Sequence, residues 1–299
     1  MSLLVLGTTA LDTVTTPTGR RREMLGGSAV HFAMAASHFT RVHLVAVVGK
    51  DFPRRHIDFL KKKGVDVAGL TVEKGATFRW EGQYHGDMNA ALTVSTQLGV
   101  LATFRPCIAE KQRCIENIFL ANVDPDIQRH LLERMRRPRL VGLDSMNYWI
   151  NHKRHALVRL LKKVDIFVAN DTEARSLSGE THLIRAARAL RRMGAPTAVI
   201  KKGEHGVLVL VQDTVFCLPA YPVETIVDPT GAGDTFAGGF MGYLATTRKI
   251  DAAALKKAAS YGTVMASFNV EDFGMARMAR LTKKDIAGRL RRFRDITSF

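Results

Sequence analysis

Short apolar runs alternate with longer amphipathic segments along most of the chain. The runs have strand length and β-branched content, whereas the longer segments repeat apolar residues at helical spacing. The predicted strands are residues 3–6, 43–48, 117–121, 140–143, 164–169, 197–200 and 207–211. The predicted helices are residues 28–38, 54–63, 125–137, 152–163, 184–193, 232–245, 252–268 and 284–292. This order predicts an α/β fold with a mostly parallel sheet.

Two segments break the alternation. Residues 13–24 are polar and contain Pro17 and Gly19, and residues 70–94 read as strand rather than helix. Both are expected to form a small sheet outside the core. Because the chain has no repeat, low-complexity tract or linker, residues 1–299 are interpreted as one domain with these segments attached.

Residues 228–239 read Asp-Pro-Thr-Gly-Ala-Gly-Asp-Thr-Phe-Ala-Gly-Gly and contain the strongest functional signal. Glycine lets the backbone bring N–H groups close to a ligand, and a helix is predicted to start here. The segment Gly231, Ala232 and Gly233 is therefore a candidate anion-binding turn. Asp234, in the first helical turn, is either a capping carboxylate or the base that takes a proton from an attacking hydroxyl group.

The extended motif, residues 228–240, resembles the C-terminal signature of the ribokinase-like (PfkB) carbohydrate kinases. A second resemblance lies at Gly26-Gly27-Ser28-Ala29-Val30-His31-Phe32-Ala33, in the family's order. The resemblance implies a three-layer α/β/α core with a small β-sheet lid, and transfer of the γ-phosphoryl group of ATP to a hydroxyl group. In such a reaction, Asp234 is the expected catalytic base.

The same resemblance implies which residues bind ATP, the phosphoryl donor; we call this part of the site the donor side. Asn170 and Glu173 match a family motif that organises Mg²⁺ and the ATP phosphates, with Mg²⁺ held mainly through water; the residue-based alternative is a helix cap. Lys201, Gly203 and Gly206 match a stretch beside the nucleotide, although related kinases usually have threonine or serine where Lys201 stands. A lysine there could instead contact phosphate.

Near the C-terminus, Asn269 lies where the family builds its adenine pocket and is a candidate ATP contact. Some family members also require K⁺ near the residues that precede the glycine turn, here residues 225–228. The sequence leaves that requirement open.

The residues expected to bind the phosphoryl acceptor, which we call the acceptor side, match the family pattern less well. Asp12, placed at the end of the first strand, resembles the aspartate that binds substrate hydroxyl groups, and Gly26 and Gly27 resemble the diglycine that joins lid to core. His31 stands where a sugar kinase would have asparagine, and Ala10 departs from the pattern in the same way. His31 is therefore a candidate substrate contact as well as an ordinary packed histidine.

A small sugar is the first expected acceptor, phosphorylated at a primary hydroxyl group. A nucleoside such as adenosine, inosine or guanosine is an alternative, because Phe78, Trp80 and Tyr84 in the lid segment could stack on a base. A sugar phosphate is another alternative, favoured by Arg79 and the net charge of +16.

The composition of the chain argues against several other classes of protein. The charge of +16 is spread over short clusters and only 7% of residues are aromatic, a pattern that does not favour a catalytically silent nucleic-acid-binding relative. No apolar run is long enough to span a membrane, and the three cysteines have no zinc-type spacing, so a cytoplasmic enzyme is expected. The resemblance also allows a homodimer that pairs through the lid.

Overall fold

The computed structural model describes residues 1–298, which form thirteen strands and twelve helices. The strands are β1 (Ser2–Leu6), β2 (Ala10–Thr16), β3 (Gly19–Gly26), β4 (Arg41–Gly49), β5 (Val65–Glu73), β6 (Arg79–Tyr84), β7 (Ala91–Gln97), β8 (Asn117–Leu120), β9 (Leu140–Asp144), β10 (Ile166–Asn170), β11 (Thr197–Lys201), β12 (Val207–Val211) and β13 (Thr214–Leu218). The helices are α1 (Ser28–Ala36), α2 (Arg54–Lys62), α3 (Glu110–Arg113), α4 (Pro125–Leu132), α5 (Asn147–His152), α6 (Arg154–Leu161), α7 (Asp171–Ser178), α8 (Leu183–Met193), α9 (Ala232–Leu244), α10 (Ala252–Asn269), α11 (Ala276–Ala279) and α12 (Lys283–Thr297).

Nine strands form the main sheet in the order β13-β12-β11-β10-β9-β8-β1-β4-β5. Every neighbouring pair from β11 to β5 is parallel, whereas β12 and β13 add an antiparallel edge. The apolar runs are buried on both sides. Along β1, Leu3 and Val5 face one core cluster while Leu4 and Leu6 face the other, as the twofold periodicity of a strand requires.

Helices cover both faces of this sheet. One core contains buried residues of α1, α9, α10 and α12, and the second contains those of α4, α6, α7 and α8. The predicted α/β/α architecture and mostly parallel sheet are therefore confirmed. Within residues 1–298, every helix is too short or too polar to pass through a lipid bilayer.

A smaller sheet, which we call the lid, has the order β3-β2-β6-β7. The predicted lid segment 13–24 falls on strands β2 and β3 and the turn between them, but residues 70–73 of the second predicted segment belong to β5, at the edge of the main sheet. They pair in parallel with β4, a contact that the local pattern of the segment cannot reveal. The outer strand β7 leaves Leu92 and Val94 more than half exposed, and pairing of two lids stays a prediction.

Helix α9 carries the glycine-rich motif and packs tightly between α1 and α10. A Cβ atom at Gly238 would lie 2.3 Å from the carbonyl oxygen of Phe32, and one at Gly239 would lie 2.8 Å from a side-chain atom of Met265. These glycines therefore allow the helix backbones to approach closely, and this packing fixes where the N-terminus of α9 lies relative to the sheet.

The close packing predicts opposite effects for the same substitution in two helices. Gly238→Ala should lower the free energy of unfolding by about 1–3 kcal/mol, because the new methyl group overlaps the α1 backbone. Gly288→Ala is the matched control: in α12, no atom lies within 4 Å of the position of a Cβ atom. It should raise stability by about 0.5–1 kcal/mol. Urea unfolding of both variants would measure these changes, and equal effects would contradict the packing.

Candidate active site

The glycine turn lies at the N-terminus of α9. Gly231 is the N-cap residue, with φ of 73° in the left-handed region that favours glycine. A Cβ atom there would lie 2.2 Å from the His31 ring, and a Cβ atom at Gly233 would lie 2.9 Å from the Lys201 Nζ. His31 and Lys201 thus both lie against the turn: a side chain at Gly231 would overlap the imidazole ring, and one at Gly233 would displace the lysine ammonium group.

Three backbone N–H groups of this turn have no protein acceptor. The Ala232 N–H donates to the Pro229 carbonyl at 3.1 Å, and the Thr235 N–H donates to the Gly231 carbonyl at 2.8 Å. Within residues 1–298, the N–H groups of Gly231, Gly233 and Asp234 donate to no backbone or side-chain atom. Free donors at the positive end of a helix dipole are suited to binding an anion.

Asp234 is half-buried in the first turn of α9. Burial raises the pKa of its carboxyl group to about 7, the nearby Asp144 raises it as well, and Lys201 opposes the change. The Lys201 ammonium group donates to Asp144 Oδ2 at 3.1 Å. Burial alone would lower the pKa of Lys201, but Asp144, Glu173 and Asp234 together raise it above its ordinary value.

Asn170 and Glu173 form a reciprocal cap at the start of α7. The Asn170 N–H donates to Glu173 Oε2 at 2.7 Å, and the Glu173 N–H donates to Asn170 Oδ1 at 2.7 Å. Burial and the neighbouring Asp144 raise the pKa of Glu173 to about 7. Both residues therefore serve as the helix cap, and the second carboxylate oxygen of Glu173 takes no part in it.

Asp12 lies within β2 of the lid, not at the end of the first strand as the sequence suggested. The chain turns after β1 and enters the lid before it reaches Asp12. Asp12 Oδ2 accepts the Gly27 N–H at 3.2 Å, and a Cβ atom at Gly26 would overlap this carboxylate. Burial raises the pKa of Asp12 to about 7; the Gly27 N–H lowers it, and Asp228 and Asp234 raise it further.

Gly26 ends lid strand β3 and Gly27 is the N-cap of core helix α1, so the diglycine joins lid to core. Gly27 has φ of 97°, and a Cβ atom there would lie 2.5 Å from the Thr8 carbonyl oxygen. The connection thus depends on glycine at this position.

His31 is buried and its Nδ1 lies 3.2 Å from Asn269 Oδ1. The same oxygen accepts the Thr235 hydroxyl at 3.0 Å, and Asn269 Nδ2 donates to the Thr230 carbonyl at 2.8 Å. Because an amide oxygen only accepts, Nδ1 carries the imidazole proton and Nε2 is left as an acceptor. Burial lowers the pKa of His31, which keeps the ring neutral.

A cavity of about 560 Å³ opens beside the turn, a size typical of small-molecule sites. Asn170, Lys201, Gly203, Gly206 and Gly233 all line it. Asn269 does not; it is buried, with its amide bonded to protein atoms. The rest of the lining is mostly apolar and includes Tyr221, Val223, Phe236, Thr263, Ala266, Ser267 and Val270.

The lid contacts the site at two points. The Thr230 hydroxyl donates to the Tyr84 hydroxyl at 3.3 Å, and Asn89 Nδ2 donates to Glu204 Oε1 at 2.9 Å. Tyr84 and Met88 form an apolar cluster with Val14 and Phe273. The lid therefore covers the space next to the glycine turn.

Sequence reasoning missed Asp144, named Tyr84 only as a lid aromatic and not as a partner of Thr230, and did not assign a structural role to Asp228. Asp144 directly follows a predicted strand, the same signal that identified Asn170, and could have been found in that way. Asp228 is buried and accepts the N–H groups of Thr230 and Gly274 at 2.9 and 3.0 Å. Its contact across the chain with residue 274 has no local sequence signal.

Comparisons with known proteins agree with this geometry. The model of the pfkB family of carbohydrate kinases matches residues 5–280. A cytidine kinase of Thermococcus kodakarensis is 34% identical over 248 residues, which cover 81% of this chain and 87% of that protein.

Among solved structures, a nucleoside kinase of Methanocaldococcus jannaschii has a TM-score of 0.79 at 20% identity and covers 97% of this chain and 98% of its own. A putative ribokinase II from E. coli, in complex with ATP and Mg²⁺, has a TM-score of 0.79 at 18% identity and covers 97% and 99%. At these identities, the two structures demonstrate the shared fold.

The raised pKa of Asp12 predicts a pH-dependent effect on stability. Since its folded pKa of about 7 exceeds the ordinary 3.8, the folded state holds a proton that the unfolded state releases between these pH values. Stability is therefore lost as pH rises from about 4 to 7. Asp12→Asn should raise the melting temperature at pH 8 and change it little at pH 4.

Asp126→Asn is the matched control for this measurement. The Lys153 ammonium group lowers the pKa of Asp126, so its carboxylate stabilises the fold at neutral pH, and this variant should melt lower at pH 8. Calorimetric melting at both pH values would test the pair. If Asp12→Asn melts at a lower temperature than wild type at pH 8, the ionised Asp12 carboxylate does not destabilise the fold and the explanation is wrong.

Proposed function

Because the chain belongs to the pfkB family of carbohydrate kinases, we propose that it transfers the γ-phosphoryl group of ATP to a primary hydroxyl group of a nucleoside. The observation that carries this proposal is the convergence at one turn of free N–H groups, the carboxylate of Asp234 and the ammonium group of Lys201. That combination binds an anion and accepts a proton at the same place.

Asp234 is the proposed general base. The acceptor hydroxyl oxygen attacks the γ-phosphorus, its proton passes to the Asp234 carboxylate, and the bond between the γ-phosphorus and the bridging oxygen breaks to release ADP. The pKa of about 7 suits this role, since a base whose pKa lies near the working pH is both available and effective. A plain helix cap would instead bond its own helix N–H groups, and Asp234 bonds none within residues 1–298.

The free N–H groups of Gly233 and Asp234 are proposed to bind oxygens of the transferring phosphoryl group. Fixed donors aimed at developing charge can contribute about 10² to 10³ in rate. Because α9 is packed closely against α1 and α10, these donors need not reorganise during the reaction.

Mg²⁺ fits the donor side. Carboxylates of Asp144, Glu173 and Asp234 lie near one another, and hard oxygen donors are the ligands that Mg²⁺ prefers, often through water. Glu173 and Asn170 would hold the ion through water, where it would neutralise phosphate charge. Within residues 1–298, no group of three or more His, Cys, Asp or Glu side chains is arranged to hold a metal directly.

The nucleotide would occupy the cavity beside the turn. Gly203 and Gly206 line it next to Asn170, and the apolar wall offers a slot for the base. Asn269 is proposed to act indirectly, because its amide bonds His31, Thr235 and the Thr230 carbonyl and so supports the turn from behind.

The acceptor would lie between the lid and the turn. Asp12 and the backbone at Gly26 and Gly27 would bind ribose hydroxyl groups, and His31 would offer its neutral Nε2 as an acceptor. The 34% identity with a cytidine kinase and the apolar lid cluster that contains Tyr84 favour a nucleoside over a free sugar. A small sugar remains the second candidate, since the same hydroxyl-binding groups suit it.

The test is MgATP consumption by the purified protein with a panel of nucleosides, sugars and sugar phosphates. We expect turnover with a nucleoside, and a loss of about 10² to 10⁴ in kcat for Asp234→Asn, because the variant cannot take the hydroxyl proton.

Asp171→Asn is the control, a half-exposed first-turn carboxylate of another helix, and its kcat should match wild type. Undiminished turnover in Asp234→Asn would contradict the role of base. Turnover with sugars alone would show that a sugar, the second candidate, is the acceptor. Salt-sensitive retention on RNA without any turnover would favour a catalytically silent nucleic-acid-binding relative.

A further inference from the structure

Lys201 stands apart from the other lysine and arginine residues of the chain. Among the residues that line the nucleotide-sized cavity within the described chain, it is the sole lysine or arginine. Its side chain is 18% exposed, and its ammonium group is held by a carboxylate, Asp144, that is 4% exposed. A net charge of +16 is otherwise distributed over the surface, so a buried lysine at this position is not explained by general basicity.

The ammonium group lies beside the anion-binding turn. A Cβ atom on Gly233 would lie 2.9 Å from Lys201 Nζ, and Gly233 carries one of the free N–H groups. Among the described residues, the ammonium group donates only to Asp144, and an ammonium group has three hydrogens to donate. Further donor capacity therefore remains next to the place where the phosphoryl group would bind.

Asp144 is itself fixed by the backbone. It ends β9, two strands away from β11, which ends at Lys201, with β10 between them. One carboxylate oxygen accepts the Ser145 N–H at 2.7 Å and the other accepts the Lys201 ammonium group at 3.1 Å. Its side chain thus has a single orientation and reaches across the end of β10 to hold the lysine.

We propose that Lys201 binds the oxygens of the transferring phosphoryl group together with the free N–H groups of the turn, and that Asp144 is a positioning residue that holds the Lys201 ammonium group in place. This inference rests on the proposed function. Lys201 remains an ammonium group throughout; it forms no covalent bond and takes no proton. Its contribution is a fixed positive charge beside oxygens whose negative charge is redistributed as the bond to ADP breaks.

The pairing has a clear physical advantage. A lysine side chain has a flexible four-carbon stem and loses much conformational freedom when it binds an anion. A carboxylate that holds the ammonium group before ATP arrives removes that cost from the binding step. Asp144 would therefore affect binding and turnover through Lys201, without contact with substrate.

The first experiment compares the affinity for ATP and for AMP by titration calorimetry in the presence of Mg²⁺. Lys201→Met should weaken ATP binding by about tenfold or more and leave AMP binding unchanged, because only ATP carries the terminal phosphates. Lys202→Met is the matched control: this neighbouring lysine does not line the cavity, and the variant should bind both nucleotides like wild type. Equal loss of ATP and AMP affinity, or no loss of either, would overturn the role of Lys201.

The second experiment is a double-mutant cycle on kcat, with Lys201→Met, Asp144→Asn and the double variant. Each single variant should turn over more slowly and melt at a lower temperature, because each leaves an unpaired group in a buried site. The double variant should recover the melting temperature and keep the low kcat of Lys201→Met. A merely structural pair would recover turnover together with stability, and that result would overturn the proposal.

The positioning role has its own outcome in this cycle. If Asp144→Asn lowers kcat as much in the Lys201→Met background as in wild type, Asp144 acts independently of the lysine and the positioning role is wrong. Failure of the proposed function can be distinguished from failure of the Lys201 role. If the proposed function is wrong, wild type turns over none of the acceptors, but the comparison of ATP with AMP still decides whether Lys201 binds phosphate.

Discussion

Three carboxyl groups and one ammonium group lie close together, buried or half-buried, at the carboxyl end of the central strands, and the site depends on this imbalance of charge. Asp144, Glu173 and Asp234 interact with one another and share Lys201 as their nearby cation. Isolated, such a cluster is unfavourable, since like charges in a poorly solvated place disfavour ionisation. The pKa values of about 7 for Glu173 and Asp234 are the direct expression of that cost.

The same imbalance of charge suits the site to binding a metal cation together with phosphate groups. Bound Mg²⁺ would bring the positive charge that the carboxylates lack, and ATP phosphates would be met by the N–H groups of Gly233 and Asp234 and by Lys201. Acceptor and donor sides are coupled in the same way, because Asp12 on the lid side interacts with Asp234. The fold sustains this arrangement with rigid packing around α9, where Gly238 allows α1 to approach closely.

Much of the architecture was predictable because its signals are local. Buried parallel strands are largely apolar, as in β8, where Ile118, Phe119 and Leu120 follow Asn117, and the glycine motif at the start of α9 shows both the flexible turn and the helix that follows. Asp234, Gly231 and Glu173 could be proposed as site residues for the same reason: each lies in a motif whose residues are close in sequence. Residues 70–73, which the sequence assigned to the lid, were misplaced because they belong to β5, whose partner β4 is identified only by tertiary pairing.

The rest of the site depends on contacts between distant residues. Asp144 acquires its role from Lys201, which lies 57 residues further along the chain, and Asn269 acquires its role from His31, 238 residues away. Asp12 was assigned to the wrong strand because the turn between β1 and β2 redirects the chain into the lid. Local pattern gives the type of such residues, and the fold decides which of them meet.

The most direct test of the central claim is the pH dependence of kcat/KM, measured well below saturation with the acceptor that gives the highest turnover. Under these conditions the profile reports the free enzyme, in which Asp234 must be ionised to accept the hydroxyl proton. The account predicts that kcat/KM falls about tenfold per pH unit below an apparent pKa near 7. A profile that stays flat down to pH 5 would contradict a base whose pKa is raised by burial and by its carboxylate neighbour.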